Sequence, residues 1–106
     1  YGLNASIRIT NNAGFAQKLS FDITTASNIS KKERYESRYI AADVLYKDGK
    51  LKKIAGGNFK KHKRLYNSNI EWLALKNKYY SIIAKPEFRP AGVFSKDIGT
   101  RPVIGF

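Results

Sequence analysis

Asn69-Ile70-Glu71-Trp72-Leu73-Ala74-Leu75-Lys76-Asn77-Lys78-Tyr79-Tyr80-Ser81-Ile82-Ile83-Ala84-Lys85-Pro86 is the stretch on which the fold turns. Trp72, Leu75, Tyr79 and Ile83 recur at helical spacing, and Leu, Ala and Lys are good helix formers, so one amphipathic helix fits. The same residues also read as two buried strands, 70–75 and 79–85, interrupted at Lys76-Asn77-Lys78 and apolar on both faces. Periodicity alone leaves both readings open.

Upstream the pattern is that of strands. A mixed apolar run over 39–47, with Ile40, Ala42, Val44 and Tyr46, reaches Asp48-Gly49 and resumes over 50–54. Asp-Gly between two such runs is a strong hairpin cue. Gly56-Gly57-Asn58 ends that hairpin and delivers the chain to Lys60-Lys61-His62-Lys63-Arg64. Residues 26–38 are polar and aperiodic, which suits a long surface connection. At the start of the chain Leu3, Ala5, Ile7 and Ile9 alternate with Asn4, Ser6, Arg8 and Thr10, the period of a half-buried strand. Asn11-Asn12-Ala13-Gly14 supplies turn residues. Phe15, Leu19, Phe21 and Ile23 then alternate with polar neighbours, so a hairpin or meander is expected here. Downstream, Pro86, Pro90 and Pro102 with Gly92, Gly99 and Gly105 imply loops and short edge strands.

The chain has 106 residues, enough for one domain with a modest core. Its apolar share of 42% and aromatic share of 13% are globular values, not those of a disordered basic tail. It has no Cys, which excludes a disulfide framework, a thiolate metal site and a thiol nucleophile. The longest apolar runs fall far short of the ~20 residues of a spanning helix. Net charge is +12, and it is uneven: residues 31–64 hold twelve basic and four acidic side chains. The start at Tyr1 suggests a piece of a longer protein, whose targeting or anchoring segments lie outside it.

The residues offer little to catalysis, which needs an acid or base oriented beside a reacting group. His62 stands between Lys61 and Lys63 with no carboxylate near in sequence. The acids are scattered, and the close pair Glu33 and Glu36 sits among Lys31, Lys32, Arg34 and Arg38 as a salt-laced surface would. Gly56-Gly57 lacks the spacing of a nucleotide-binding fingerprint. Asn4-Ala5-Ser6 and Asn28-Ile29-Ser30 match the glycosylation acceptor, a motif too short to carry weight alone. Catalytic, cofactor-binding and metal sites are therefore expected to be absent. What remains is an anionic-surface or partner patch of Lys60, Lys61, Lys63 and Arg64, flanked by Phe59 and Tyr66 as in single-strand nucleic-acid binders. An anionic membrane surface is an equally good electrostatic partner. Trp72, in its apolar run, reads as a core anchor.

The stretch 69–86 resembles a "W-[VL]-A-x-x-N-[KR]-Y-[FY]" block, followed by an apolar strand and Pro, in the large periplasmic domain of the YidC/Oxa/Alb family of membrane protein insertases. The residues that carry the likeness are Trp72, Ala74, Asn77, Tyr79, Tyr80 and Pro86. The segment from Tyr1 through Asn12 is similar to an earlier strand of that domain, in which a Tyr opens an alternating run ending in an Asn-rich turn. The order and separation of the blocks also fit, and together they cover most of the chain, with 72–80 the distinctive part.

The resemblance implies an all-β fold, an antiparallel β-sandwich of the supersandwich type, with 70–85 a strand, a tight turn and a strand. Residues 1–106 would be a single β domain, part of a larger sandwich whose missing strands leave an open edge. The implied setting is the periplasmic face of the bacterial inner membrane, in a parent protein anchored by helices outside this segment. The implied role is non-catalytic: a scaffold or interaction domain in inserting and folding membrane proteins, with Sec translocon components and nascent membrane proteins as partners and no cofactor or small-molecule substrate. The groove that performs insertion in this family is not in these residues. Two other readings compete: a basic nucleic-acid-binding β domain, from the charge, and a carbohydrate-binding sandwich, from fold analogy alone.

Overall fold

The computed structural model of the protein describes residues 2–18, 20–27 and 38–106. Among them the strands are β1 (Thr24–Ser27), β2 (Ala41–Tyr46), β3 (Leu51–Ala55), β4 (Lys63–Leu65), β5 (Ile70–Lys76), β6 (Ser81–Ala84), β7 (Val93–Ile98) and β8 (Arg101–Gly105). A six-residue 3-10 helix, η1 (Gly56–Lys61), joins β3 to β4. The strands form two four-stranded sheets, ordered β1-β8-β7-β4 and β3-β2-β5-β6, with every pairing antiparallel. The all-β sandwich reading holds.

The stretch with two readings is a strand pair. Leu73 and Leu75 point inward on β5, opposite Ala84 and Ile82 of β6, while Ala74 faces Ile83 on the other side. A helix would present one apolar stripe, but these residues have apolar neighbours on both faces, and that burial overrides helix propensity. Asn77 makes the break. Its Oδ1 accepts the backbone N–H groups of Tyr79 at 2.8 Å and Tyr80 at 2.9 Å, and its own N–H bonds the carbonyl of Tyr80. The hairpin at Asp48-Gly49 forms as expected, with Gly49 at φ 89 and Asp48 Oδ1 accepting the N–H of Lys50.

The core lies between the sheets. β2 contributes Ala42 and Val44, β5 Leu73 and Leu75, and the opposing sheet Ala26, Val93 and Ile104. Between β2 and β5 the register skips Glu71, pairing Leu45 with Trp72 and Tyr46 with Ile70. The irregularity turns Ile70 inward although it lies three residues from Leu73, an odd spacing that a regular strand would send to opposite faces. Phe59 of η1, fully buried, closes the side of the core where the chain crosses between sheets.

Three expectations need correction. No strand forms over 2–18. The turn is present, with Asn11 Oδ1 accepting the N–H of Ala13 and Asn11 donating to the carbonyl of Phe15, but its flanks do not pair. A two-stranded hairpin is marginal without a face to cover, and these residues are exposed. Trp72 is not a core anchor: it is half-buried on the outer face of its sheet, opposite Leu45. The proline-containing C-terminal strand, β8, lies inside its sheet and not at an edge, whereas Pro86 and Pro90 lie outside strands as expected. Pro102 is buried in β8, and β1 pairs no further along β8 than Val103, so Pro102 has a strand partner on the β7 side alone. The polar connection expected over 26–38 lies largely outside the described residues, as does Leu19.

Candidate functional site

The basic run becomes one side of the sandwich. β3 is the outer strand of one sheet and β4 of the other, and η1 carries the chain between them. Lys52 and Lys53 project from β3, Lys60 and Lys61 occupy the last turn of η1, and Lys63 opens β4, all exposed. Lys52, Lys53, Asn58 and Lys63 rim a shallow depression of about 130 Å³ floored by Ile54 and Leu65. His62 caps η1 in the left-handed conformation at φ 48, its backbone N–H donating to the carbonyl of Phe59.

Of the expected patch, Lys60, Lys61 and Lys63 come together and Arg64 does not. Successive residues of a strand point to opposite faces, so Arg64 crosses the outer face of its sheet. There its guanidinium donates two hydrogen bonds to Asp22, at 2.8 and 2.6 Å, and stacks over the ring of Phe94. The Arg64 hydrogen bond holds the Asp22 carboxyl below its ordinary range, and the same bond raises Arg64. This partner lies 42 residues away and leaves no local signal in the sequence. Lys52 and Lys53 replace Arg64 in the patch because the β2–β3 hairpin brings them beside η1. Phe59 is core, so of the two aromatics flanking the run only Tyr66 is available for stacking.

The clasp anchors residues 20–23 as a strap. Ile23 exchanges both backbone hydrogen bonds with Phe106, at 2.8 and 3.0 Å, beyond the end of β8. Beside the strap is an open cleft of about 720 Å³, lined by Phe21, Tyr66, Phe88, Phe106, Arg64 and Arg89 among others. Phe88 and Phe106 meet edge to face, centroids 5.7 Å apart. An aromatic, cationic and open groove can receive an apolar segment.

The family-like residues occupy distinct structural roles. Ala74 is buried between Asp43 and Ile83, Asn77 holds the β5–β6 turn, Tyr79 and Tyr80 are exposed on that turn, and Pro86 is half-buried just beyond β6. Lys78 lies over the rings of Tyr39 and Tyr79.

Among the described residues no three His, Cys, Asp or Glu side chains group to hold a metal ion. The carboxylates of Asp22, Asp43 and Glu71 are each salt-bridged, to Arg64, Lys76 and Lys85. No described helix is long and apolar enough to cross a membrane. The arrangement is suited to binding: a lysine-lined side for an anionic partner and an aromatic cleft for an apolar one. No protein-family model, curated protein or solved structure matches the chain.

Proposed function

We propose that this chain is a non-catalytic extracytoplasmic domain of a membrane protein insertase, acting as scaffold or interaction surface at the periplasmic side of a bacterial inner membrane. The observation that carries the reading is the stretch 69–86. The residues that resemble the YidC/Oxa/Alb block form a strand, an Asn77-held turn and a strand within a two-sheet antiparallel sandwich, the arrangement the resemblance implies. The lysine-lined side is compatible with anionic lipid headgroups, each lysine near such a surface contributing about 1 kcal/mol. Nascent membrane proteins and components of the Sec translocon are the protein partners of this reading.

Deleting residues 1–106 from the full-length protein and assaying membrane insertion tests it. A scaffold predicts reduced efficiency with the insertion reaction retained. Complete loss of insertion in a stable, correctly located truncation overturns the non-catalytic role, and a full-length protein without membrane-spanning segments overturns the insertase assignment.

A further inference from the structure

Two parts of the fold stay outside its strand pairings, and they are complementary. The first is the outer edge of β6, which no described strand pairs. Of the other edge strands, β3 carries Lys52 and Lys53, β4 carries Lys63 and Arg64, and β1 has a register irregularity between Thr24 and Ala26. Charges and irregularities of this kind block strand addition. β6 is Ser81-Ile82-Ile83-Ala84, without charge or proline, paired in unbroken register with β5, and its Ile83 is 64% exposed.

The second is the segment 3–10. It has strand periodicity, yet Leu3 is 93%, Ile7 64% and Ile9 51% exposed, and none of it is in a strand. It projects as an arm. The radius of gyration is 15.1 Å, with a longest extent of 53 Å, against about 13 Å for a compact domain of this length. The chain is held where it enters β1 by the Asp22–Arg64 clasp and the Ile23–Phe106 backbone pair. The β6 edge lies beside β1. Within one chain residues 3–10 do not pair with β6.

We propose that residues 3–10 of one copy add as a strand to the β6 edge of a second copy, giving a reciprocal arm-exchanged dimer. Two arms meeting two edges close a two-fold assembly, so growth stops at the dimer. Backbone hydrogen bonds join the arm to β6, and the alternate side chains Leu3, Ala5, Ile7 and Ile9 set its face, with one face meeting Ile83. This inference does not depend on the insertase reading.

Light scattering on the purified 106-residue chain tests it directly. The expected species is twice the 12.0 kDa protomer. Removing residues 1–12, or replacing Ile83→Lys on the intact chain, should each shift the equilibrium to monomer by tenfold or more while the circular dichroism of the sandwich is retained. Because the sequence has no cysteine, mixing an Ile7→Cys chain with an Ile83→Cys chain should yield a bis-maleimide-linked heterodimer. A protein that stays monomeric up to about 100 μM, where exchange dimers of micromolar affinity would be assembled, overturns the proposal. So does a dimer that survives both changes, and so does cross-linking of an Ile7→Cys/Ile83→Cys double variant only within single chains.

Discussion

The Nζ of Lys76 lies 2.7 Å from Oδ2 of Asp43, joining β5 to β2 across the outer face of the second sheet. Asp43 is 9% exposed, and among the described residues its Oδ1 has no hydrogen-bond partner, so the Lys76 charge is the principal compensation for a carboxylate held out of water. Replacing Lys76→Met should cost about 1–3 kcal/mol in urea unfolding. Adding Asp43→Leu to that variant should recover most of the loss, because a matched apolar pair removes the desolvation penalty. A double variant no more stable than the single one would show that the pair's surroundings demand the charge.

The strap should open in acid. Asp22 has a lowered carboxyl pKa in the folded protein, owing first to its Arg64 hydrogen bond. The clasp is therefore fully present above the ordinary aspartate value of 3.8 and is lost as pH falls through the depressed folded value. Hydrogen exchange at the Ile23 and Phe106 amides should accelerate over that acidic window. Asp22→Asn should abolish the pH dependence of this local step and leave exchange in β2 and β5 unchanged.

Asn77→Ala should destabilise the β5–β6 turn by about 1 kcal/mol, since two backbone N–H groups lose their acceptor to water. Asn77→Asp, which keeps the acceptor, should be nearly neutral. Thermal midpoints of the two variants separate the outcomes.

Gly105→Ala should be severe, about 3 kcal/mol or more, because a Cβ there would overlap the carbonyl oxygen of Ile23 and crowd Phe94. The strap would have to lift from β8. Loss of the Ile23 and Phe106 amide protection, with the β2–β3–β5–β6 sheet intact, is the expected signature.

Lys60→Ser, Lys61→Ser and Lys63→Ser combined should weaken sedimentation with anionic liposomes about 100-fold at low salt, taking about 1 kcal/mol per lysine. Arg64→Ser alone should change liposome binding far less, since its guanidinium is engaged by Asp22. Equal effects of the two variants would place Arg64 within the binding surface after all.

Local chemistry settled part of this fold from the sequence alone. Asp48-Gly49 specifies its hairpin because a turn needing positive φ is chosen by the residues that occupy it. The alternation through Ala42 and Val44 determined which side of β2 faces the core, and the clustering of lysines over 47–63 marked one basic region. The absence of cysteine excluded disulfide and thiolate chemistry. Other features depended on residues distant in the chain. The helix-or-strand ambiguity of 70–85 was decided by apolar neighbours from β2 on one side of β5 and β6 on the other. Ile70 was turned inward by a skipped Glu71 in a register that only the partner strand sets, while Trp72, next to the inward Leu73, faces out. Arg64 left the lysine patch for an aspartate 42 residues earlier. Leu3, Ile7 and Ile9 have the period of a strand, but pairing needs a free edge within reach, and that edge belongs to the tertiary arrangement and not to the segment itself.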